Sequence, residues 1–85
     1  MVEVKNCDMQ RELSLFVEEL ADRTTKVESD CLRIGQALRD QINERQPGNW
    51  QCIVSDSDFA SLIRYAPDSY INLKANNYYV LLFKC

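Results

Sequence analysis

The sequence predicts an α+β domain: an amino-terminal strand, a pair of helices, then a four-stranded antiparallel sheet. Three observations lead there. Apolar residues recur at helical spacing between Met9 and Ile42, the period changes to two at Trp50, and Asn76-Asn77 separates two β-rich runs near the carboxyl end. With 85 residues the chain is expected to be a single domain, 1–85, without repeats, linkers or low-complexity stretches. A domain this small buries only about 60% of the surface of its unfolded chain, so a disulfide, a metal or a second subunit is the usual support.

Each element has its own signature. Val2-Glu3-Val4-Lys5 alternates apolar with charged, as a short edge strand does, and its charges discourage unwanted pairing. Asp8 is then the expected N-cap of a first helix, whose apolar stripe runs through Met9, Leu13, Phe16, Val17, Leu20, Ala21, Thr24 and Val27. On its outer face Glu19 and Arg23, and Asp22 and Lys26, stand four apart in the favourable acid-first order. Ser29 and Asp30 offer a second N-cap, after which Cys31, Ile34, Gly35, Leu38 and Ile42 resume the helical period. Pro47 disfavours helix in its predecessor and Gly48 turns the chain, so this helix should end near Gln46.

From Trp50 the alternation of a strand sets in, with Trp50, Cys52 and Val54 on one face and Gln51, Ile53 and Ser55 on the other. A polar break at Asp56-Ser57-Asp58 precedes residues 59–65, rich enough in β-formers to make another strand. Ala66-Pro67-Asp68 turns the chain again. Asparagine tolerates positive φ, so Asn76-Asn77 predicts a two-residue hairpin in which position 75 faces 78. That register puts Ile71, Leu73, Ala75, Tyr78, Val80 and Leu82 on one face, for the helices to cover. Tyr70, Asn72, Lys74, Tyr79, Leu81 and Phe83 form the other face, half-aromatic and suited to meeting a partner.

Reactive groups are few. There is no histidine, so Ser-His-Asp and Cys-His arrangements cannot form, and with Gly35 and Gly48 the only glycines a phosphate loop is excluded. Cys7, Cys31, Cys52 and Cys85 are spread along the chain without a C-x-x-C pair, which argues against zinc. No export signal or membrane-length apolar run accompanies them, so they are expected to be reduced thiols of a cytosolic protein, with Cys7, Cys31 and Cys52 as small buried hydrophobes. The one chemical alternative is a thiol-dependent redox protein using Cys52 or Cys85. Asp56 and Asp58 are expected as turn residues rather than as an acid pair or cation site. A net charge of −3, with both signs interleaved, gives no patch for nucleic acid or membrane. Neither enzymatic activity nor a cofactor is expected.

Taken together, Lys5-Asn6-Cys7-Asp8-Met9, the two helices, Trp50-Gln51-Cys52-Ile53-Val54, Phe59-Ala60-Ser61 and Leu81-Leu82-Phe83-Lys84 resemble the eight-kilodalton dynein light chain family over nearly the whole chain. The resemblance implies a strand-swapped homodimer, in which the strand around residues 59–64 crosses to the other protomer. It also implies two parallel grooves that take extended peptides of dynein intermediate chain or cargo by strand addition. Carried over residue by residue, the groove comprises Ser57, Asp58, Phe59, Ala60, Ser61, Leu62, Ile63, Arg64 and Tyr65, with Tyr70, Asn72, Lys74 and Tyr79 on its floor and Cys31 and Leu32 at its end. Gln51, Phe59, Ser61 and Ile63 fall at the dimer interface. The place implied is cytoplasmic and microtubule-associated, in a cytoplasmic or axonemal dynein.

The chain departs from the family in the groove itself. Ser55-Asp56-Ser57-Asp58-Phe59 stands where typical members have Gly-Arg-Asn-Phe, so two carboxylates replace a positive entrance. Cys31 and Leu32 replace the glutamate and lysine that hold a peptide glutamine, which puts the usual Thr-Gln-Thr ligand in question. Tyr65 replaces a histidine, Asn72 and Lys74 replace aromatic residues, and Tyr79 replaces a small residue and adds bulk, so a closed groove on a purely structural dimer is the sub-alternative. Gln51 replaces a dimer-interface histidine, which predicts a dimer without acid-triggered dissociation.

Overall fold

The computed structural model describes residues 2–58 and 67–84. In chain order these form β1 (Val2–Met9), α1 (Arg11–Val27), α2 (Cys31–Arg45), β2 (Trp50–Ser55), β3 (Ser69–Ala75) and β4 (Tyr78–Lys84). The strands make one antiparallel sheet in the order β1-β3-β4-β2, with the amino-terminal strand at one edge, as expected, and β2 at the other. The strand expected over residues 59–65 lies outside the described residues.

The carboxyl-terminal hairpin has the predicted register, Ala75 opposite Tyr78 and Ile71 opposite Leu82. Asn76 supplies the positive φ, 56°, that the turn requires. Its side-chain amide also donates to Thr25 Oγ1 at 2.8 Å and to the Asp22 carbonyl and carboxylate at 3.3 Å, which anchors the hairpin tip on α1. Tyr78 adds a second tether, its hydroxyl donating to the Ser29 carbonyl between the helices at 3.0 Å.

Both helices lie on one face of the sheet, α1 against β1 and β3 and α2 against β2 and β4. Ile71, Leu73, Ala75, Val80 and Leu82 from the sheet meet Leu13, Val17, Leu20 and Ala21 of α1 and Ile34, Leu38 and Ile42 of α2, all buried. Each such Leu or Ile contributes about 1.5–3 kcal/mol of transfer free energy. Trp50 closes one end of this core, donating from Nε1 to the Gln46 carbonyl at 2.7 Å. On the opposite face Tyr70 and Leu81 are buried while Asn72, Lys74, Tyr79 and Phe83 are half-buried, with Tyr70 paired to Phe83 across the strands.

Four expectations are corrected. Asp8 does not cap α1: it pairs with Tyr70, and Met9 with Ser69, because continuing the β1–β3 ladder satisfies more backbone groups than one cap does. The N-cap is Gln10, which makes no side-chain cap bond. At the other end of α1, Val27 is 84% exposed and Thr25 is buried instead, its hydroxyl satisfied by the Ala21 carbonyl at 2.7 Å. Asp22 and Lys26 do pair, at 3.1 Å, but among the described residues Glu19 and Arg23 make no ion pair. Finally, Cys7 is exposed on the edge strand β1, and Cys31, at the start of α2, and Cys52 are only half-buried. The second helix starts and stops where the sequence indicates, with Asp30 Oδ1 accepting from Leu32 N at 3.1 Å and Gln46 as C-cap.

Candidate functional site

The edge strand β2 pairs with β4 on one side, and among the described residues nothing pairs with its other side. Beside that edge runs α2, and its approach is close because Gly35 faces the strand: a Cβ there would stand 3.6 Å from Val54 Cγ2 and 3.7 Å from the Cys52 carbonyl oxygen. Helix and strand enclose a trough of about 410 Å³, lined by Cys31, Leu32, Gly35, Gln36 and Arg39 on one wall and Cys52, Ile53 and Val54 on the other. Two of its side chains are large exposed hydrophobes, Leu32 at 69% and Ile53 at 46%. An unpaired row of backbone groups beside an apolar wall is the arrangement that an added strand requires.

Thiol chemistry finds no support in this trough. Burial pushes the Cys52 thiol up to about 12, and the nearby Arg39 charge pulls against this without overcoming it. A nucleophilic cysteine needs the opposite shift. Among the described residues no group of three or more Cys, Asp or Glu side chains is placed to hold a metal ion.

The structure divides the predicted site residues into two sets. Cys31 and Leu32 line the trough. Tyr70, Asn72, Lys74 and Tyr79 lie on the sheet face away from the helices and are not among its lining residues. Gln51 is exposed on β2 opposite Phe83, and Ser57 follows with its backbone N–H donating to Ser55 Oγ at 3.2 Å. Phe59, Ala60, Ser61, Leu62, Ile63, Arg64 and Tyr65 lie outside the described residues.

At the other end of the sheet face a second constellation surrounds Tyr79. The Lys5 ammonium lies 4.8 Å from the ring centroid and that of Lys74 5.4 Å away. Lys5 reaches the ring because β1 shifts register between Val4 and Asn6. It also donates to Asp58 Oδ2 at 2.8 Å, a bond that raises the lysine pKa above its ordinary value.

Sequence reasoning missed Gly35, Gln36 and Arg39 as wall residues. The signal was present, since Cys31, Gly35 and Arg39 recur every four residues and so share one stripe of α2. Lys5 gave no such signal, because a bulge depends on pairing with a strand some 70 residues away in the chain.

A regular sheet edge, unpaired among the described residues and lying beside a helix, is the arrangement found in small strand-adding binding domains. The sequence profile of the dynein light chain type 1 family matches residues 1–85, and the chain belongs to that family. Solved structures share its fold. The dynein light chain-like domain of the Fasciola hepatica calcium binding protein FhCaBP2 has a TM-score of 0.87 at 15% identity, covering 100% of this chain and 91% of that one. The similar domain of CsTAL3 gives 0.79 at 16% identity over 98% and 90%. No curated protein matches the chain by sequence. The family is one of non-catalytic light chains of the dynein motor, whose members typically dimerise, bind dynein subunits or cargo and associate with the cytoskeleton. Among the described residues no helix is long and apolar enough to cross a membrane.

Proposed function

We propose that this chain is a dimeric adaptor light chain that captures an extended segment of another dynein subunit or of cargo by β-strand addition. The observation that carries this reading is the edge of β2, unpaired among the described residues and facing exposed Leu32 across the trough. In this reading the strand around residues 59–64 of the partner protomer crosses to that edge, with Phe59, Ser61 and Ile63 at the subunit contact together with Gln51. The ligand then adds to the crossed strand, its side chains meeting Cys31 and Leu32. Main-chain pairing supplies affinity without regard to side chains, so replacing the family's charged pair at the head of α2 changes which segment is preferred rather than whether one binds. Two identical grooves favour a bivalent partner, because its second engagement is intramolecular.

Tyr79 is occupied by Lys5 and Lys74 and does not line the trough, which favours an open groove over a closed, purely structural one. Calorimetric titration with dynein intermediate-chain peptides, and with an array of cargo-derived extended segments, tests the reading. Binding that is lost in Leu32→Asp supports it, and competition only by folded partners rejects it. Sedimentation at neutral and mildly acid pH tests the dimer, which should persist in both because the chain has no histidine to titrate.

A further inference from the structure

A second trough, of about 480 Å³, lies between α1 and α2. Its apolar lining comes from Leu20, Val27 and Ala37, and Arg23 and Arg33 line it as well. Three features make it more than the seam between two helices. Val27 is the most exposed large hydrophobe among the described residues, at 84%, although it ends an otherwise buried stripe. Among the described residues Arg23 makes no ion pair, and Arg33 has only a long contact of 3.9 Å with Asp30, itself engaged as the cap of α2. The one acidic side chain lining the trough, Glu28, is turned to the backbone amides of Ser29 and Asp30 at 3.0 and 3.1 Å. On a chain of net charge −3, the trough therefore presents apolar surface bordered by two under-used guanidinium groups.

Its walls also dictate the form of what fits. Both are helices, whose backbone groups are already bonded internally, so the trough offers no main-chain pairing. A helical segment suits such walls, because its backbone is already bonded internally and loses no hydrogen bonds on seating there. The wall from Arg33 through Ala37 to Gln41 runs over nine residues, about 12 Å or two helical turns at 1.5 Å of rise per residue. We infer that the α1–α2 trough is a docking site for a short amphipathic acidic helix of a partner protein, two turns long at the contact, with aliphatic residues on Val27 and Ala37 and carboxylates toward Arg23 and Arg33. The site is separate from the β2 edge and does not depend on it. One domain thus takes an extended segment on one flank and a helix on the other.

The test uses the full chain and a capped 14-residue helical peptide of Leu, Ala and Glu with its leucines on one face. Backbone amide shifts followed by NMR should move at Arg23, Val27, Arg33, Ala37 and Gln41 and stay fixed at Cys52, Ile53 and Val54. The exposed charge reversal R23E/R33E should weaken binding about tenfold or more, and a matched peptide with Lys for Glu should not bind wild type but should bind the reversed variant. Circular dichroism of the variant confirms that it remains folded. Shifts confined to the β2 trough, equal binding of both peptides, or binding unchanged in R23E/R33E each overturn the proposal. So does Arg-dependent binding to anionic phospholipid vesicles without peptide binding, which would assign the trough to a membrane surface.

Discussion

The Lys5 ammonium donates to the Asp58 carboxylate at 2.8 Å while lying 4.8 Å from the ring centroid of Tyr79, so one side chain joins the first strand to the polar segment that follows β2. Its hydrogen bond with Asp58 is the largest cause of the raised lysine pKa. A raised lysine pKa stabilises the fold fully below the ordinary value of 10.5 and loses that contribution as pH climbs through the folded value. Asp58→Asn should therefore lower the Lys5 titration midpoint and flatten the alkaline loss of stability. NMR titration of the lysine ε-carbon follows it directly; an unchanged midpoint would show that the bond does not form in solution.

Asn76 combines a positive φ with three hydrogen bonds onto α1, and its two roles can be separated. Asn76→Gly keeps the turn and loses the anchor, which should cost about 1 kcal/mol, whereas Asn76→Ala loses both and should cost about 2–3 kcal/mol. Urea unfolding midpoints measure the difference. Equal costs would mean that the turn conformation carries nothing.

Gly35 lies in the buried face of α2, where alanine is the better helix former by about 1 kcal/mol. The added methyl meets Val54 and the Cys52 carbonyl at ordinary contact distance. Gly35→Ala should accordingly be neutral or stabilising by up to about 1 kcal/mol in the same unfolding measurement. Clear destabilisation would show a tighter helix–strand approach than 3.6 Å.

With its thiol pushed up to about 12 by burial, Cys52 stays protonated at pH 8, and the thiol is the poor nucleophile. Iodoacetamide labelling followed by mass spectrometry should modify the exposed Cys7 well before Cys52. Early modification of Cys52 would reopen the case for thiol chemistry.

What the sequence disclosed follows the range of the forces involved. The Asn76-Asn77 hairpin and the Asp30 cap are set by neighbours within a few residues, and both stand where local pattern puts them. Asp8 looked like a cap because capping is also local, but its partner in the ladder is Tyr70, a contact that no window around Asp8 contains. Thr24 and Val27 fit the helical period, yet it is Thr25 that meets the hairpin tip at Asn76 while Val27 is exposed, and which side of a helix end meets its neighbour is a tertiary fact. The trough was half legible for the same reason. The stripe of Cys31, Gly35 and Arg39 belongs to one helix, whereas the open edge opposite it is a property of the strand order β1-β3-β4-β2.

That order gives the sheet two edges of unlike character. The β1 edge carries Glu3, Lys5 and Asp8 and is broken by the shift between Val4 and Asn6, so a straight strand cannot pair along it. The β2 edge is regular and flanked by Leu32 and Ile53. Among the described residues the sheet thus has one edge suited to an added strand, so it can be extended beyond β2 and is terminated at β1.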